Sequence, residues 1–431
     1  MHPREQIALI MQRIYNRGLT TTSGGNISII DESGDIWITP TGVDKGLLNP
    51  SDVIYIKQDG TILGNHKPSS ELPFHQAIYN ARPNIKSIIH AHPPALVSFS
   101  IVQKIPNTNV LPEARQVCGE IGYAKYEMPG TAELGKSIAD EFAKGYSAII
   151  MENHGTVVGG KDLSDTYQRL ETLEMSARTI IYGNMVGELN YLSDNEIKEF
   201  EEQIPELMAE NERVIYSDEE REKRFQICKI VHRACQQELM SSSYGTVSVR
   251  LKRNDFLITS ENVPRWDLQI DDIVQIKDGK REKGKIPSKM TYLHKAIYNA
   301  HPEINTIILT QAPYLMSFTV TDANFNVRTI PETWIYLQDV QKLDFGSQFQ
   351  SSNKINNAIS SENPMVLVKN HCVLVAGNKL LQTFDYLEVA EFSAKSLVMS
   401  TTIGKMVPIN DERVEAIGKV MAKWKNYEWS M

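Results

Sequence analysis

The sequence repeats itself once, and two copies of one pattern predict two copies of one domain. Residues 67–100, KPSSELPFHQAIYNARPNIKSIIHAHPPALVSFS, are echoed at an offset of 219 by residues 286–319, IPSKMTYLHKAIYNAHPEINTIILTQAPYLMSFT. Three shorter pairs keep the same order: TTSGGNIS with SSSYGTVS and WITPTG with LITSEN at an offset of 220, and ENHGTVVGG with KNHCVLVAG at 217. Chance does not preserve order and spacing over four segments, so each half is predicted to be one domain of a shared fold.

The length of 431 residues suits two domains of about 200 residues each. We place the boundary near residue 215, which gives a first domain over 1–215 and a second over 216–431. The acidic stretch 193–224 then holds the closing helix of the first domain and the start of the second.

The local patterns of the first half predict strands and helices in alternation. GGNISIID and DIWITPTG are typical of strands around a DESGD turn, and NIKSIIHAH is typical of a further strand. Pro68 predicts the start of a helix that ends before Pro83, and AIIMENHGTVVGG predicts two strands around an Asn-His-Gly turn, with a long helix after them. The predicted fold class is α/β: two copies of an αβα sandwich with a central mixed, mainly antiparallel sheet.

Charge and hydropathy exclude several kinds of partner. The net charge of −8 and the isoelectric point near 5.8 give no reason to expect nucleic acid or an anionic membrane surface. No stretch approaches the roughly 18 unbroken apolar residues of a membrane span. The first residues lack the apolar block and cleavage site of a secretory signal, so the predicted location is the cytoplasm.

A histidine pair ends one predicted strand. Residues two apart on a strand point to the same face, so His90 and His92 present their imidazoles side by side. His154, in the Asn-His-Gly turn, is the candidate third ligand, and three imidazoles with one open position are typical of catalytic zinc. The alternatives are hydrogen-bonded core histidines for the pair and an exposed turn histidine for His154.

Glu71 lies at the first turn of the helix that precedes the histidine strand. It is the natural carboxylate for proton transfer at such a metal. The alternative is a glutamate that complements the helix dipole.

Three further segments share small residues, hydroxyl groups, an amide and glycines: TTSGGNIS, TPTG and PSSE. Two of them end strands and one opens a helix, where backbone N–H groups bind phosphate without needing a lysine. Together with the histidines and the carboxylate, they predict a phosphorylated polar substrate.

In order and together, SGGNIS, ITPTG, PSSE, HAH, PGTAEL and NHG resemble the class II aldolase and adducin-head family. That family includes aldolases for fuculose and rhamnulose phosphates, ribulose-phosphate 4-epimerases and a methylthioribulose-phosphate dehydratase. The resemblance covers essentially the whole first half. It implies that His90, His92 and His154 hold one divalent metal, usually Zn²⁺ in the family, and that Glu71 is the catalytic acid/base. The residues implied to surround the substrate phosphate are Gly25, Asn26, Thr41, Gly42, Ser69 and Ser70.

The implied function is a metal-dependent aldolase or epimerase. It would act on a phosphorylated ketose by retro-aldol carbon–carbon cleavage, with an enediolate stabilised by the metal. Three alternatives stay open: an adducin-like binding or scaffold protein without chemistry, a sugar-phosphate dehydratase of the same family, and a purely structural metal. Single-domain members form cyclic tetramers with sites between subunits, so the fused pair implies a homo-oligomer in which two chains form a four-domain ring.

The second half retains the fold pattern and loses the site residues. At the equivalent positions of the second half, Met290 replaces Glu71, Leu309 replaces His90 and Gln311 replaces His92. Only His154 is retained, as His371. The phosphate segments change as well. At the equivalent positions of the second half, Asn26 is replaced by Thr246, Thr41 by Glu261, Gly42 by Asn262 and Ser70 by Lys289. Leucine and methionine do not ligate zinc in this setting, so the second half is predicted to be a degenerate, non-catalytic copy without metal.

Overall fold

The computed structural model describes residues 1–203, 208–211, 216–349 and 352–424. The chain divides into two compact units, Met1–Arg178 and Thr179–Met431. The predicted domain boundary near residue 215 lies outside the described residues, so it stays a prediction.

The first copy of the repeat contains six α-helices and eight strands among the described residues. The helices are α1 (Pro3–Asn16), α2 (Leu72–Ala81), α3 (Pro94–Ile101), α4 (Pro112–Cys118), α5 (Ala132–Ala143) and α6 (Leu163–Val186). The strands are β1 (Asn26–Ile30), β2 (Ile36–Ile38), β3 (Ile54–Ile56), β4 (Ile62–Leu63), β5 (Ser87–Ala91), β6 (Gly122–Ala124), β7 (Ala148–Met151) and β8 (Gly155–Gly160).

The second copy follows a short helix, α7 (Asp194–Glu202). Its helices are α8 (Asp218–Gln236), α9 (Thr291–Ala300), α10 (Pro313–Thr319), α11 (Pro331–Leu337), α12 (Lys354–Ala358), α13 (Leu380–Ser400) and α14 (Asp411–Trp424). Its strands are β9 (Thr246–Arg250), β10 (Phe256–Ile258), β11 (Val274–Lys277), β12 (Lys280–Arg281), β13 (Thr306–Thr310), β14 (Gln341–Leu343), β15 (Met365–Val368) and β16 (Cys372–Gly377).

Each copy has one eight-stranded sheet with the same strand order. The orders are β4-β3-β2-β1-β5-β8-β7-β6 and β12-β11-β10-β9-β13-β16-β15-β14. In each sheet the last pair, β6 with β7 or β14 with β15, is parallel and the other neighbours are antiparallel. The predicted fold class, two copies of a mixed and mainly antiparallel sheet with helices on its faces, is confirmed.

Helices cover both faces of the first sheet. The side chain of Ile88 packs with Phe74 of α2 and Ile138 of α5 in one core cluster. Its neighbour Ser87 points to the other face and hydrogen bonds to Thr166 of α6. Because side chains alternate along a strand, His90 lies on the same face as Ile88 and therefore on the α2 side of the sheet.

Helix α2 begins later than the sequence predicts. The predicted start at Pro68 is wrong, since α2 runs from Leu72 to Ala81, although its end before Pro83 is confirmed. Pro68 forms an isolated antiparallel bridge with Pro40, and the Ser69 amide donates to the Thr39 carbonyl at 3.1 Å. These long-range bonds hold residues 68 and 69 extended, so helical bonding starts only after Glu71.

The two copies also agree in register. Asn26 pairs with His90 across β1 and β5, and Thr246 pairs with Leu309 across β9 and β13, as the offsets require. Among the described residues, no helix combines the length and apolar character needed to cross a membrane.

Candidate metal centre

Three histidines that are far apart in the sequence meet at one end of the first sheet. His90 is in β5, His92 follows that strand directly, and His154 is in the turn between β7 and β8. Their ring centroids lie 4.7 Å (His90–His92), 4.8 Å (His90–His154) and 5.4 Å (His92–His154) apart. One ligand nitrogen from each ring lies within 4.8 Å of the others, and no other group of three such donors occurs in the described part of the chain.

The backbone on both sides of the histidines is fixed by specific contacts. Asn153 adopts φ +50°, a left-handed conformation that asparagine tolerates, and this turns the chain so that His154 faces the pair. Beyond His92, the two prolines begin α3, whose amides at Ala95 and Leu96 donate to the Glu174 carboxylate at 3.1 Å each. A carboxylate at a helix N-terminus satisfies otherwise unpaired N–H groups. The segment after the histidine pair is therefore anchored to α6.

His90 is held in the tautomer that can bind a metal. Its Nδ1 lies 3.0 Å from the carbonyl oxygen of Thr156, and since a carbonyl only accepts, Nδ1 must carry the proton. The Nε2 lone pair is thus left to face the other two rings, and this buried nitrogen makes no hydrogen bond among the described residues. A metal-ligating histidine typically donates its second N–H to a carbonyl in this way.

Burial favours the neutral form of all three imidazoles. Burial lowers the pKa of His90 to about 3 and, aided by the neighbouring His90, lowers the pKa of His154 to about 4. Burial also lowers the pKa of His92. Only the neutral form of an imidazole ligates a metal. Tetrahedral zinc bound by nitrogen needs ligand atoms about 3.4 Å apart, and small rotations of the three rings would bring their nitrogens to that spacing. The residues present fit a divalent cation.

Glu71 directs its carboxylate at the histidine cluster. It is the N-cap residue of α2, and it is buried. Its Oε2 lies 3.4 Å from His90 Nε2 and its Oε1 lies 3.7 Å from His154 Nε2. The side-chain amide of Asn26 donates to Oε2 at 2.7 Å. A carboxylate in this position can move a proton at an atom bound beside the cluster.

The residues implied to bind phosphate lie in three adjoining segments. Gly25, at φ +70°, is so close to β5 that an added Cβ would lie 2.8 Å from the His90 carbonyl oxygen. The bridge between Pro40 and Pro68 joins the TPTG and PSSE segments, and Ser69 Oγ accepts from the Glu71 amide at 3.3 Å. Thr41, Gly42 and Ser70 are exposed, whereas Asn26 and Ser69 are buried. Their role in binding phosphate stays a prediction.

Two buried residues near the site were missed by the sequence reasoning. His75 donates from Nε2 to the side-chain oxygen of Asn26, which connects Asn26 to the interior on the side away from Glu71. Lys45 is buried, donates to the Pro40 carbonyl, and has its pKa lowered to about 8 by burial. The available signal for His75 was its spacing: it follows Glu71 by four residues, one helical turn, and recurs as His294 in the second copy.

The second copy keeps the frame of the site with different side chains. The Glu391 carboxylate accepts from the amides of Tyr314 and Leu315 at 2.9 and 2.8 Å, as Glu174 does in the first copy. Gln311 donates from its side chain to the His371 carbonyl at 2.9 Å. The Phe200 ring of α7 lies 5.6 Å from the ring of His371. An aromatic ring thus lies beside the one retained histidine, and a side-chain amide bonds to the backbone of that residue.

Gly155, which opens β8, is expected to be needed for the cluster. An added Cβ would lie 2.7 Å from His92 Cδ2 and 2.7 Å from the Ala91 carbonyl oxygen, so we expect Gly155→Ala to displace the His92 ring. The expected result is an affinity for zinc lowered by about 10- to 100-fold, measured by competition with a chelating dye. The fold itself accepts a side chain here, because the equivalent position in the second copy is Cys372.

Gly159→Ala is the matched control for Gly155→Ala. It lies in the same strand, and its added Cβ would lie 2.9 Å from Ile85 Cδ1 and 3.0 Å from Phe142 Cε1, in the core. Both variants should lose about 1–3 kcal/mol of unfolding free energy through overpacking, and only Gly155→Ala should lose zinc affinity. Equal zinc affinity in the two variants would contradict the role given to Gly155.

Both halves of the chain are similar to known proteins. The sequence matches the family described as class II aldolase and adducin N-terminal domain over residues 5–181 and again over 225–398. The chain is 32% identical over 202 residues to a 3-oxo-tetronate 4-phosphate decarboxylase of Escherichia coli (strain K12), covering 46% of this chain and 93% of that protein. It is 35% identical over 184 residues to an L-fuculose phosphate aldolase of Methanocaldococcus jannaschii, covering 42% of this chain and 98% of that protein.

A solved structure of an L-fuculose 1-phosphate aldolase is also similar. It is 26% identical, matches 47% of this chain and 95% of its own length, and has a TM-score of 0.42.

Proposed function

The chain belongs to the class II aldolase and adducin N-terminal domain family, and from this premise we propose that its first copy is a metal-dependent sugar-phosphate aldolase. One observation carries the proposal: three neutral imidazoles converge within 4.8 Å beside a carboxylate that the protein holds in place. The substrate we propose is a phosphorylated ketose, as for the aldolase relatives.

The proposed roles follow from the donor set. His90, His92 and His154 hold the cation, with zinc as the metal expected for three imidazoles. A divalent cation supplies a Lewis acid that polarises the substrate carbonyl. Glu71 takes the proton of the carbinol hydroxyl, whose oxygen becomes the aldehyde oxygen as the bond between the carbinol carbon and the α-carbon breaks. The electron pair of that bond moves towards the substrate carbonyl, and Glu71 then delivers the proton to the α-carbon.

The phosphate group is proposed to bind where the three glycine- and hydroxyl-rich segments adjoin. Exposed Thr41, Gly42 and Ser70 offer backbone and hydroxyl donors there, beside Gly25 and Ser69. The Asn26 side chain is already bonded to Glu71 and to His75, so we assign its amide to the carboxylate and leave only its backbone for the substrate.

A second candidate is decarboxylation of a phosphorylated 3-oxo acid. It is favoured by the 32% identity to the tetronate-phosphate decarboxylase over 202 residues. In that reaction the bond to the carboxyl carbon breaks, carbon dioxide leaves, and the electron pair takes the same path to the carbonyl. Glu71 again delivers the proton to the α-carbon, and it first takes that proton from solvent because departing carbon dioxide leaves none behind. The same residues therefore serve both reactions, which differ in the leaving group.

A substrate screen tests the proposal. Zinc-loaded protein is incubated with 1-phosphorylated ketoses, 3-oxo-tetronate 4-phosphate and the unphosphorylated forms of each. Dihydroxyacetone phosphate, carbon dioxide, the 4-epimer and the dehydrated substrate are measured as products. We expect cleavage of at least one phosphorylated substrate, with kcat/KM reduced by at least about 10²-fold without the phosphate, since remote binding energy aids the chemical step. Dehydration or epimerisation alone would replace the aldolase proposal with those members of the family.

The proposal extends to the second copy of the fold, to the oligomeric state and to the cellular location. We propose that residues 216–431 hold no metal and that two chains associate into a ring of four domains in the cytoplasm. Light scattering that gives a stable mass of 48.7 kDa, that of one chain, would exclude the ring.

A further inference from the structure

A chain of buried hydrogen bonds ends at the Glu71 carboxylate. Tyr79 Oη lies 2.6 Å from Ser28 Oγ, and Ser28 Oγ lies 2.7 Å from His75 Nδ1. His75 Nε2 contacts Asn26 Oδ1, and Asn26 Nδ2 donates to Glu71 Oε2 at 2.7 Å. His75, Ser28, Asn26 and Tyr79 are at most 5% exposed.

The direction of every bond in this chain is determined. An ionised carboxylate only accepts, so the NH₂ group of Asn26 faces Glu71 and its carbonyl oxygen faces His75. His75 must therefore carry its proton on Nε2, which leaves Nδ1 to accept from the Ser28 hydroxyl. Ser28 has then used its proton, so Tyr79 donates to Ser28. All donors point towards Glu71, and bonds aligned in this way strengthen one another.

The tautomer of His75 consequently decides how Asn26 meets Glu71. With the proton on Nδ1, the Nε2 lone pair would face the Asn26 carbonyl oxygen, and the amide would be driven to rotate. Rotation would place that oxygen against the Glu71 carboxylate, which would lose its donor and move from its place beside His90 and His154. The position of Glu71 therefore depends on a residue that does not contact it.

The second copy repeats part of this series of hydrogen bonds and shows which part serves the fold. Ser248, His294 and Tyr298 repeat the inner part, with 2.7 Å from Ser248 Oγ to both His294 Nδ1 and Tyr298 Oη. Thr246 replaces Asn26 and bonds to Ser288 at 2.9 Å, and the buried His294 Nε2 makes no hydrogen bond among the described residues. The inner part thus links helix and sheet in both copies, and only the first copy extends it to a carboxylate.

We propose that His75 is a positioning residue that, through Asn26, holds the Glu71 carboxylate in its reactive place beside the histidine cluster. This inference rests on the proposed function of Glu71. It predicts that loss of the Nε2 donor of His75 lowers turnover without removing the metal.

His75→Leu and His294→Leu form the matched pair for the test in the full-length, zinc-loaded chain. Both remove a fully buried imidazole bonded to a serine, so both should lower the melting temperature by a similar amount, about 3–8 °C. Only His75→Leu should lower kcat, by about 10- to 100-fold, with KM changed by less than about 2-fold and zinc content unchanged. His75→Gln, whose side-chain NH₂ can still donate to Asn26, should recover most of the kcat. Equal kcat values for the two leucine variants would overturn the proposal.

A measurement without turnover keeps this inference distinct from the proposed function. The ¹⁵N chemical shifts of the His75 ring, identified by their loss in His75→Gln, should show the proton on Nε2. The side-chain amide resonances of Asn26 should shift in His75→Leu and stay unchanged in His294→Leu. A proton on Nδ1, or unmoved Asn26 resonances, would overturn the positioning role. If the native protein cleaves no substrate but these shifts are as expected, the proposed function fails while the link from His75 to Glu71 stands.

Discussion

Replacing His90 and His92 by the residues of the second copy should remove the metal and the activity together. The variant His90→Leu/His92→Gln carries the side chains that Leu309 and Gln311 contribute at the same register of the second sheet, so we expect the fold to accept them. Zinc content should fall from about one to below about 0.1 per chain, since one imidazole alone cannot hold the ion. Turnover should fall by at least about 10³-fold, because a Lewis acid contributes several kcal/mol to such a transition state.

The measurement is plasma mass spectrometry on protein purified without chelator, with circular dichroism as the check on folding. His371→Gln, in the second copy, is the control and should keep the native zinc content. Loss of zinc in the control, or its retention in the double variant, would place the metal elsewhere. Native protein that binds no zinc even when zinc is supplied would favour an adducin-like binding protein instead.

Glu71→Gln should remove turnover and leave the metal in place. The substitution keeps the size of the side chain, and its remaining oxygen can still accept the hydrogen bond that Asn26 donates at 2.7 Å. It removes the group that takes up and delivers the proton. General acid–base catalysis contributes about 10²- to 10⁴-fold, so we expect kcat to fall by about 10³-fold.

Stopped assays with product analysis measure this effect, and zinc content is measured on the same samples. The control is Met290→Gln, which places the same side chain at the equivalent position of the second copy and should leave kcat within about 2-fold of native. A Glu71→Gln variant with native kcat would exclude Glu71 as the acid/base. Loss of zinc along with turnover would instead make Glu71 a metal ligand.

The local sequence pattern was sufficient for most of the fold. The strands around the DESGD turn, the histidine strand and the Asn-His-Gly turn are found where they were predicted, because hydrophobic alternation and turn residues act over short distances. The start of α2 was predicted wrongly. Its first residues are held extended by bonds from Ser69 to Thr39, 30 residues earlier in the chain, and such bonds leave no local signal.

The sequence by itself determined that the chain has two copies of one fold and that only the first offers three histidines and a carboxylate. Repeat order and a two-residue strand period are enough for these conclusions. Tertiary structure decided which nitrogen of His90 is free to bind a metal, and that Asn26 and His75 support Glu71. These arrangements depend on bonds from His90 to Thr156 and from Asn26 to Glu71, whose partners are 66 and 45 residues apart. Folding brings such partners together through the pairing of β5 with β8 and the packing of α2 on the sheet, which no single segment encodes.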